Sequence, residues 1–230
     1  MRTRRTSAVP EFAPRRFRFV VFDWDGTLAD STALIAAAIQ QACRDIGEPV
    51  PDDTTARYVI GLGLADALHH VAPGLAPERH GDLAIRYRHH YLTGDPQIPL
   101  FAGAREMLDE LNDAGFLLGV ATGKTRVGLS RALEQQGIAN RFAATRCADE
   151  GLPKPNPDML LHLMDRVGAE ARETLMIGDT THDVELARNA GVAAIAVSYG
   201  AHASAGLAQC EPLALVHSID ELRRWLQANS

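Results

Sequence analysis

Short apolar runs alternate along the chain with longer segments in which apolar residues recur every three or four positions. Compact runs rich in Val, Phe, Leu and Ile are typical of strands that are buried on both faces of a parallel sheet. The chain offers four clear strands of this kind, followed here by two weaker ones: Phe17–Phe22, Leu117–Ala121, Leu175–Ile177 and Val192–Val197, then Phe142–Cys147 and Leu213–Val216.

The segments between these runs have the spacing and the end signals of helices. Glycine follows several of them, at the position where a left-handed cap residue is common. The predicted helices are Gly103–Ala114, Thr125–Gln136, Pro157–Val167, Thr181–Ala190 and a last helix that opens at Ser218. Strands that alternate with helices predict an α/β fold with a Rossmann-like parallel sheet, covered on both faces. We expect the first strand to be central, between the strands that end at Thr122 and Asp179.

Residues 30–97 break this alternation, because they contain no convincing strand. Helical spacing indicates three helices instead, at Ser31–Ile46, Leu64–Val71 and Pro77–Leu92. Pro96 and Pro99 mark the return to the sheet. The sequence therefore predicts a core domain, which contains the sheet, at 17–29 and 98–230, an inserted α-helical cap at 30–97, and a basic, flexible leader at 1–16.

Charge and composition narrow the function classes. The 230 residues carry a formal net charge of −6, but residues 1–18 hold six arginines against one glutamate, so the remainder is strongly acidic. An acidic body argues against nucleic-acid binding, and no run is long enough to span a membrane. Three widely spaced cysteines indicate unpaired thiols in a reducing compartment, and so a cytoplasmic location. The oligomeric state is left open.

Polar residues follow the predicted strands and lie in the adjoining loops. In open parallel sheets, ligands bind at the carboxyl ends of the strands. The residues expected at that edge are Asp23, Asp25, Thr122, Gly123, Lys154, Asp179 and Asp183. Each of these alone has an ordinary interpretation as part of a turn, a loop or a helix start. The ordered set is much harder to explain in that way.

Several carboxylates at one edge repel each other, and a hard divalent cation would neutralise them. Mg²⁺ prefers oxygen ligands, and it is commonly held by carboxylates, water and a substrate phosphate. Lys154 would add a further positive charge to the same cluster. The sequence therefore predicts a Mg²⁺ site that also receives a phosphate group.

Two carboxylates one residue apart suit phosphoryl transfer. Asp23 would attack phosphorus and form an aspartyl-phosphate, while Asp25 would protonate the leaving oxygen and later activate water. Thr122 would donate a hydrogen bond to the phosphate. Strict strand alternation would point the two aspartates to opposite sides, so the chain must already turn there, as Gly26 permits.

Four stretches, in order, resemble the motifs of the haloacid dehalogenase superfamily of Mg²⁺-dependent phosphatases. They are Phe22–Leu28 (FDWDGTL), Val120–Gly123, Lys154–Asp158 and Gly178–Asp183 (GDTTHD). The helical insertion lies where the subfamily with a helical cap carries its cap. The resemblance covers the chain from Phe17 to the C-terminus.

This resemblance implies a role for each residue of the set. Asp23 would be the nucleophile and Asp25 the acid/base. The implied Mg²⁺ ligands are the Asp23 side chain, the Asp25 backbone carbonyl, Asp179 and, through water, Asp183. The implied phosphate-binding residues are Thr122, Gly123 and Lys154.

Three further stretches look most like phosphoglycolate phosphatases: Asp25–Ser31, Gly61–Leu68 and Tyr199–His202. This resemblance implies a small phosphate ester that also carries a carboxylate. Such a group needs a cationic partner, preferably a guanidinium. Arg57 in the cap and Arg126 in the core are the candidates, although an exposed arginine often serves only solubility.

Other functions remain open at this stage. A sugar phosphomutase would share the same chemistry, and a phosphorylation-switched signalling domain also uses an aspartate, a threonine and a lysine at strand ends. A carbon–halogen dehalogenase needs no Mg²⁺ and typically lacks the second aspartate. Other residues near the motifs have simpler interpretations: His182 is expected to face solvent and Trp24 to pack under the cap. Lys124 has two interpretations that the sequence does not separate, a surface residue or a residue that reaches the substrate.

Overall fold

The computed structural model describes residues 16–94 and 98–229. The predicted leader lies outside the described residues except for its last residue, Arg16. Pro96 and the end of the predicted cap also lie outside them. No helix in the described part of the chain combines the length and the apolar character that crossing a membrane would require.

Six parallel strands form one sheet in the described part of the chain. They are β1 Phe19–Phe22, β2 Leu117–Thr122, β3 Ala144–Cys147, β4 Thr174–Gly178, β5 Ala193–Val197 and β6 Ala214–Val216. Their order in the sheet is β3-β2-β1-β4-β5-β6. The central strand β1 pairs with β2 on one side and with β4 on the other, as expected from the sequence.

Alternate residues of β1 enter different apolar clusters. Val20 and Phe22 pack in the cluster that includes Met107, Leu129 and Leu222. Phe19 and Val21 pack in a second cluster, on the other face of the sheet. The helices of the core are α5 Ala104–Asp113, α6 Arg126–Gln136, α7 Asp158–Val167, α8 Thr181–Asn189, α9 Ser204–Gln209 and α10 Ile219–Asn229. Of these, α7, α8 and α9 contribute to the second cluster.

The described residues between 30 and 94 contain helices and no strand. These helices are α1 Thr32–Asp45, α2 Asp53–Tyr58, α3 Leu64–Val71 and α4 His80–Gly94. They bury a largely separate apolar cluster that includes Ile39, Leu68 and Leu83. We call these four helices the cap helices; the exact division of the chain into core and cap stays a prediction.

The sequence pattern did not predict two of the helices, because both are short. α2 and α9 have six residues each, less than two turns, so neither repeats an apolar spacing often enough to be recognised. The predicted helix Pro77–Leu92 begins as a single 3₁₀ turn, Pro77–Arg79, and continues as α4. Proline supplies the backbone angle of a first turn but no hydrogen-bond donor.

Candidate active site

The loop after β1 brings its two aspartates into one buried site. Asp23 continues the sheet, since its N–H donates to the Ile177 carbonyl at 2.8 Å, and the chain then turns through Gly26. Gly26 has a positive φ of 82°, and a Cβ there would lie 2.2 Å from Asp179 Oδ2. Glycine is therefore needed twice, for the turn and for the close approach of Asp179.

Three aspartates meet at this edge of the sheet. Asp23, Asp179 and Asp183 are buried, and each offers a carboxylate oxygen within 4.8 Å of the others. Lys154 Nζ lies 2.8 Å from Asp23 Oδ1 and 2.6 Å from Asp183 Oδ1. Three negative charges thus face one positive charge, so the ionised cluster has a formal charge of −2.

Burial makes this arrangement costly without further positive charge. Desolvation raises the pKa of Asp23 to about 7, against the opposing pull of Lys154 and with a further contribution from Asp183. Desolvation, followed by the neighbouring Asp23 and Asp183 carboxylates, also raises the pKa of Asp179 well above its usual range. For Lys154, burial alone would lower the pKa, but the two carboxylates outweigh burial and raise it.

The cluster has the composition of a divalent-cation site. Beyond the ion pair with Lys154, neither Asp23 oxygen accepts a hydrogen bond from a group in the described part of the chain. A buried oxygen without such a partner is expensive unless a ligand satisfies it. Oxygen donors and a formal charge of −2 fit Mg²⁺.

The other two aspartates are held in place by the protein. Asp179 accepts hydrogen bonds from the Thr27 hydroxyl and the Ala201 N–H, both at 2.7 Å. Asp183 Oδ2 accepts from both the N–H and the hydroxyl of Thr180, the residue before α8. These contacts fix both carboxylates at the carboxyl end of β4.

Asp25 has a different environment. Its Oδ1 accepts a hydrogen bond from the Ser31 hydroxyl at 2.7 Å and lies 3.1 Å from Lys124 Nζ. Lys124 in turn donates to the Tyr91 hydroxyl of α4 at 2.6 Å, and its ammonium lies over the Tyr91 ring. Of the two interpretations of Lys124, the surface position was wrong: only 9% of its side chain is exposed, because it bridges Asp25 and a cap helix.

The end of β2 lies directly below the cap. Thr122 is fully buried, and its Oγ1 accepts from the Lys124 N–H at 3.2 Å. At Gly123 an added Cβ would lie 2.5 Å from the Leu62 carbonyl oxygen and 2.7 Å from that of Gly61. The cap backbone therefore approaches this loop as closely as glycine permits.

The two arginine candidates have partners within the protein. Arg57 donates to the Asp53 carboxylate at 2.7 Å and to the Thr32 hydroxyl at 3.1 Å. Arg126 forms two hydrogen bonds with the Glu150 carboxylate and two with Thr145. Their proposed contact with substrate stays a prediction.

His182 does not face solvent as expected from the sequence. It is 5% exposed, and its Nε2 lies 2.8 Å from the Tyr58 carbonyl oxygen at the end of α2. His202 Nε2 lies 2.9 Å from the same oxygen, and the His202 ring stacks on the Tyr58 ring. These two imidazoles join the core to the cap, which is why a position inside a short acidic motif is buried.

Trp24 is 2% exposed and belongs to the core cluster that contains Val20 and Phe22. It also lines a small pocket together with Tyr91 of the cap helix α4, in agreement with the expected position under the cap. Sequence reasoning also missed the supporting groups Thr27, Ser31, Thr180 and Ala201. Three of these carry hydroxyl groups within or close to the motifs, which is the only signal that could have indicated them.

The profile of the haloacid dehalogenase-like hydrolases matches residues 20–197. This chain belongs to that family. The "Probable phosphatase IndB" of Dickeya dadantii is 37% identical over 88% of this chain and 90% of its own length. The phosphoglycolate phosphatase of Vibrio cholerae is 32% identical over 86% and 92%.

A solved structure gives the same result. A predicted phosphatase from Clostridium acetobutylicum superposes with a TM-score of 0.80 at 26% identity, over 90% of this chain and 97% of that one. The predicted family, α/β fold class and class of enzyme, a phosphoric monoester hydrolase, are therefore confirmed.

Proposed function

We propose that this protein is a Mg²⁺-dependent phosphatase that hydrolyses a small phosphate monoester through an aspartyl-phosphate. The observation that carries the proposal is the buried cluster of Asp23, Asp179 and Asp183 around Lys154, beside Asp25 and Thr122. The bound ion would be held by Asp23, Asp179, the Asp25 backbone carbonyl and, through water, Asp183. When bound, Mg²⁺ supplies positive charge to the transferring phosphoryl group.

Asp23 is the proposed nucleophile. One of its oxygens forms a bond to phosphorus as the bond between phosphorus and the ester oxygen breaks. The Thr122 hydroxyl, the Gly123 N–H and the Lys154 ammonium hold the phosphate oxygens during this transfer. Lys154 also keeps the nucleophile in place through its 2.8 Å contact with Oδ1.

Asp25 moves the protons. Its carboxyl group gives a proton to the departing alkoxide, so the alcohol leaves neutral. The resulting carboxylate then takes a proton from the water that attacks phosphorus, which frees Asp23 and releases inorganic phosphate. The Ser31 and Lys124 contacts hold Asp25 in position for both transfers.

The test begins with p-nitrophenyl phosphate, phosphoglycolate and Mg²⁺. Asp23→Asn is expected to abolish phosphate release with the fold intact, because an amide is not a nucleophile here. Asp25→Asn is expected to slow turnover by roughly 10²–10⁴-fold, the usual value of one acid/base group. Acid quenching of wild type during turnover, followed by mass spectrometry, should find a phosphoryl group on the peptide that contains Asp23. Near-native turnover by folded Asp23→Asn would refute the mechanism.

Phosphoglycolate is the reference substrate because several relatives are named phosphoglycolate phosphatase. Arg57 and Arg126 remain the proposed partners of its carboxylate, and each would have to share its guanidinium with the partners described above. Arg57→Ala should then weaken turnover of phosphoglycolate more than that of ethyl phosphate, which lacks the carboxylate. Equal losses for both substrates would mean that Arg57 supports the structure of the cap.

A further measurement distinguishes a phosphatase from a phosphomutase. A phosphatase releases phosphate without an added sugar bisphosphate.

We also propose a cytoplasmic location. Cys43, Cys147 and Cys210 are all unpaired, and the first two are buried. Free thiols of this kind are typical of a reducing compartment.

A further inference from the structure

A cavity of about 280 Å³ lies between the end of β2 and the cap helices. Asp25, Gly123 and Lys124 line it on the core side. It therefore begins at the residue proposed to protonate the leaving group. Whatever leaves with the ester oxygen must occupy this space.

The cap side of the cavity is apolar. Ile35 and Ile39 of α1, Leu64 and Leu68 of α3, and the ring of Tyr87 line it. Ile39 and Leu68 are each 2% exposed, so they are part of the packed cap interior and fixed in place. Tyr87 and Tyr91 stack with ring centroids 5.8 Å apart, which presents aromatic surface to the cavity.

Three cationic side chains line the cavity, against a larger number of apolar ones. Lys124 is already engaged by Asp25 and the Tyr91 hydroxyl. Arg131 has an interaction within the protein, although its buried Nε has no hydrogen-bond partner among the described residues, and Arg88 is exposed on the surface of α4. A carboxylate that reached the apolar cap side of the cavity would lie among aliphatic side chains, where a charge without a partner is costly.

The volume also exceeds what glycolate needs. An apolar protein cavity of about 150 Å³ is sufficient to bind benzene. A cavity nearly twice as large can hold a six-membered ring and the carbon that joins it to the ester oxygen. Filling it with water instead would leave that water with few polar partners.

We propose that the substrate is a phosphate monoester of a bulky, apolar, ring-sized alcohol, and that phosphoglycolate is a poorer substrate. This inference rests on the phosphatase function proposed above. In the reaction, the alcohol leaves with a proton from Asp25, and water supplies the oxygen that completes inorganic phosphate. The apolar side chains take up the ring and make no contact with phosphorus.

The test compares kcat/KM for benzyl phosphate, ethyl phosphate and phosphoglycolate at saturating Mg²⁺. All three release an alcohol of similar acidity, so differences report on the cavity and not on the bond that breaks. Benzyl phosphate is expected to exceed the other two by tenfold or more, since even one methylene in an apolar pocket is worth about 10–200-fold. A kcat/KM for phosphoglycolate equal to or above that for benzyl phosphate would overturn the inference.

A substitution in the wall of the cavity provides a second test of the proposal. Leu64→Trp is expected to fill the cavity and lower the preference for benzyl over ethyl phosphate by tenfold or more. Ile85→Trp is the matched control: Ile85 is a cap residue that is 62% exposed and does not line the cavity, so the preference should persist. An unchanged preference in folded Leu64→Trp would count against the proposal. If that variant does not fold, the wild-type comparison still decides.

p-Nitrophenyl phosphate distinguishes failure of the proposed substrate class from failure of the proposed phosphatase function. It is an activated ester, so its hydrolysis reports phosphatase chemistry even if the cavity contributes nothing to leaving-group binding. If it is hydrolysed and phosphoglycolate is preferred over benzyl phosphate, the substrate class is wrong and the phosphatase function stands. If no Mg²⁺-dependent phosphate release occurs from any ester, both proposals fail.

Discussion

Asp23 is a carboxylate in a fully buried position, and Lys154 is the group that makes this position tolerable. The side chains of both residues are at most 1% exposed, and Lys154 also pairs with Asp183. The ammonium is thus both the counter-charge that lets the site fold and a proposed ligand of the phosphate. The same residue therefore couples stability to catalysis.

Lys154→Met tests this coupling. Methionine has a similar length but no charge, so the carboxylates lose their buried partner. Without added metal, the free energy of unfolding is expected to fall by about 3–5 kcal/mol, the usual cost of breaking a buried pair from one side. Urea denaturation measures it, and phosphate release should be lost as well.

The control for that substitution is an exposed ion pair. Arg172 pairs with Glu170, and the two side chains are 78% and 64% exposed. Arg172→Met should change the free energy of unfolding by at most about 1 kcal/mol, because surface pairs contribute little. Similar losses in both variants would show that Lys154 is not a special case.

At the scale of elements, the cap and core meet through backbone as well as through side chains. The Gly61 and Leu62 carbonyls lie over Gly123, and the Tyr58 carbonyl accepts from two core histidines. These contacts come from the last residue of α2 and from the loop that follows it. This stretch limits how closely the cap can approach the site.

Gly123→Ala is expected to force these elements apart. Its Cβ would lie 2.5 Å from the Leu62 carbonyl oxygen, and backbone moves less readily than a side chain. We expect kcat/KM to fall by at least tenfold, because misplacement of about 1 Å can cost 10²-fold. Gly206→Ala in α9 is the control: its Cβ meets no atom within 4 Å, so activity should persist. Full activity in Gly123→Ala would mean that the cap adjusts freely.

The sequence was sufficient to predict helices and strands whose apolar residues recur with a clear period. It was insufficient to predict contacts between distant segments. Buried runs such as Phe17–Phe22 and the long helix α1 follow from local patterns, and the strand ends then place Asp23 and Asp179 together. The burial of His182 depends instead on a carbonyl 124 residues earlier in the chain. No local pattern encodes such a contact.

Lys124 illustrates the same limit at the site itself. Its neighbours Thr122 and Gly123 were recognised from the order of the motifs, whereas a lysine after a strand normally lies in solvent. Here Asp25 and Tyr91, one from the core and one from the cap, hold it in a buried position. Only the assembled structure brings those two partners together.

For the whole molecule, the acidic cluster links metal binding to the stability of the fold. Asp23 follows β1, whereas Asp179 and Asp183 flank the start of α8, so one ion would connect two segments that are distant in sequence. A ligand that binds only the folded chain stabilises it by mass action. The cluster should therefore report Mg²⁺ binding even in the absence of substrate.

Thermal unfolding with and without Mg²⁺ tests this link. At a Mg²⁺ concentration about a hundred times Kd, the stabilisation is about 2.7 kcal/mol. For a chain of this size we expect Tm to rise by roughly 5–10 °C, and EDTA should reverse the rise. Asp179→Asn should remove most of the increase, because an amide lowers the negative charge that attracts the ion. Asp165→Asn, which changes an exposed aspartate of α7, should retain it. An equal rise in Tm in both variants would place the metal elsewhere. No rise in the wild type would contradict Mg²⁺ binding by the acidic cluster around Lys154.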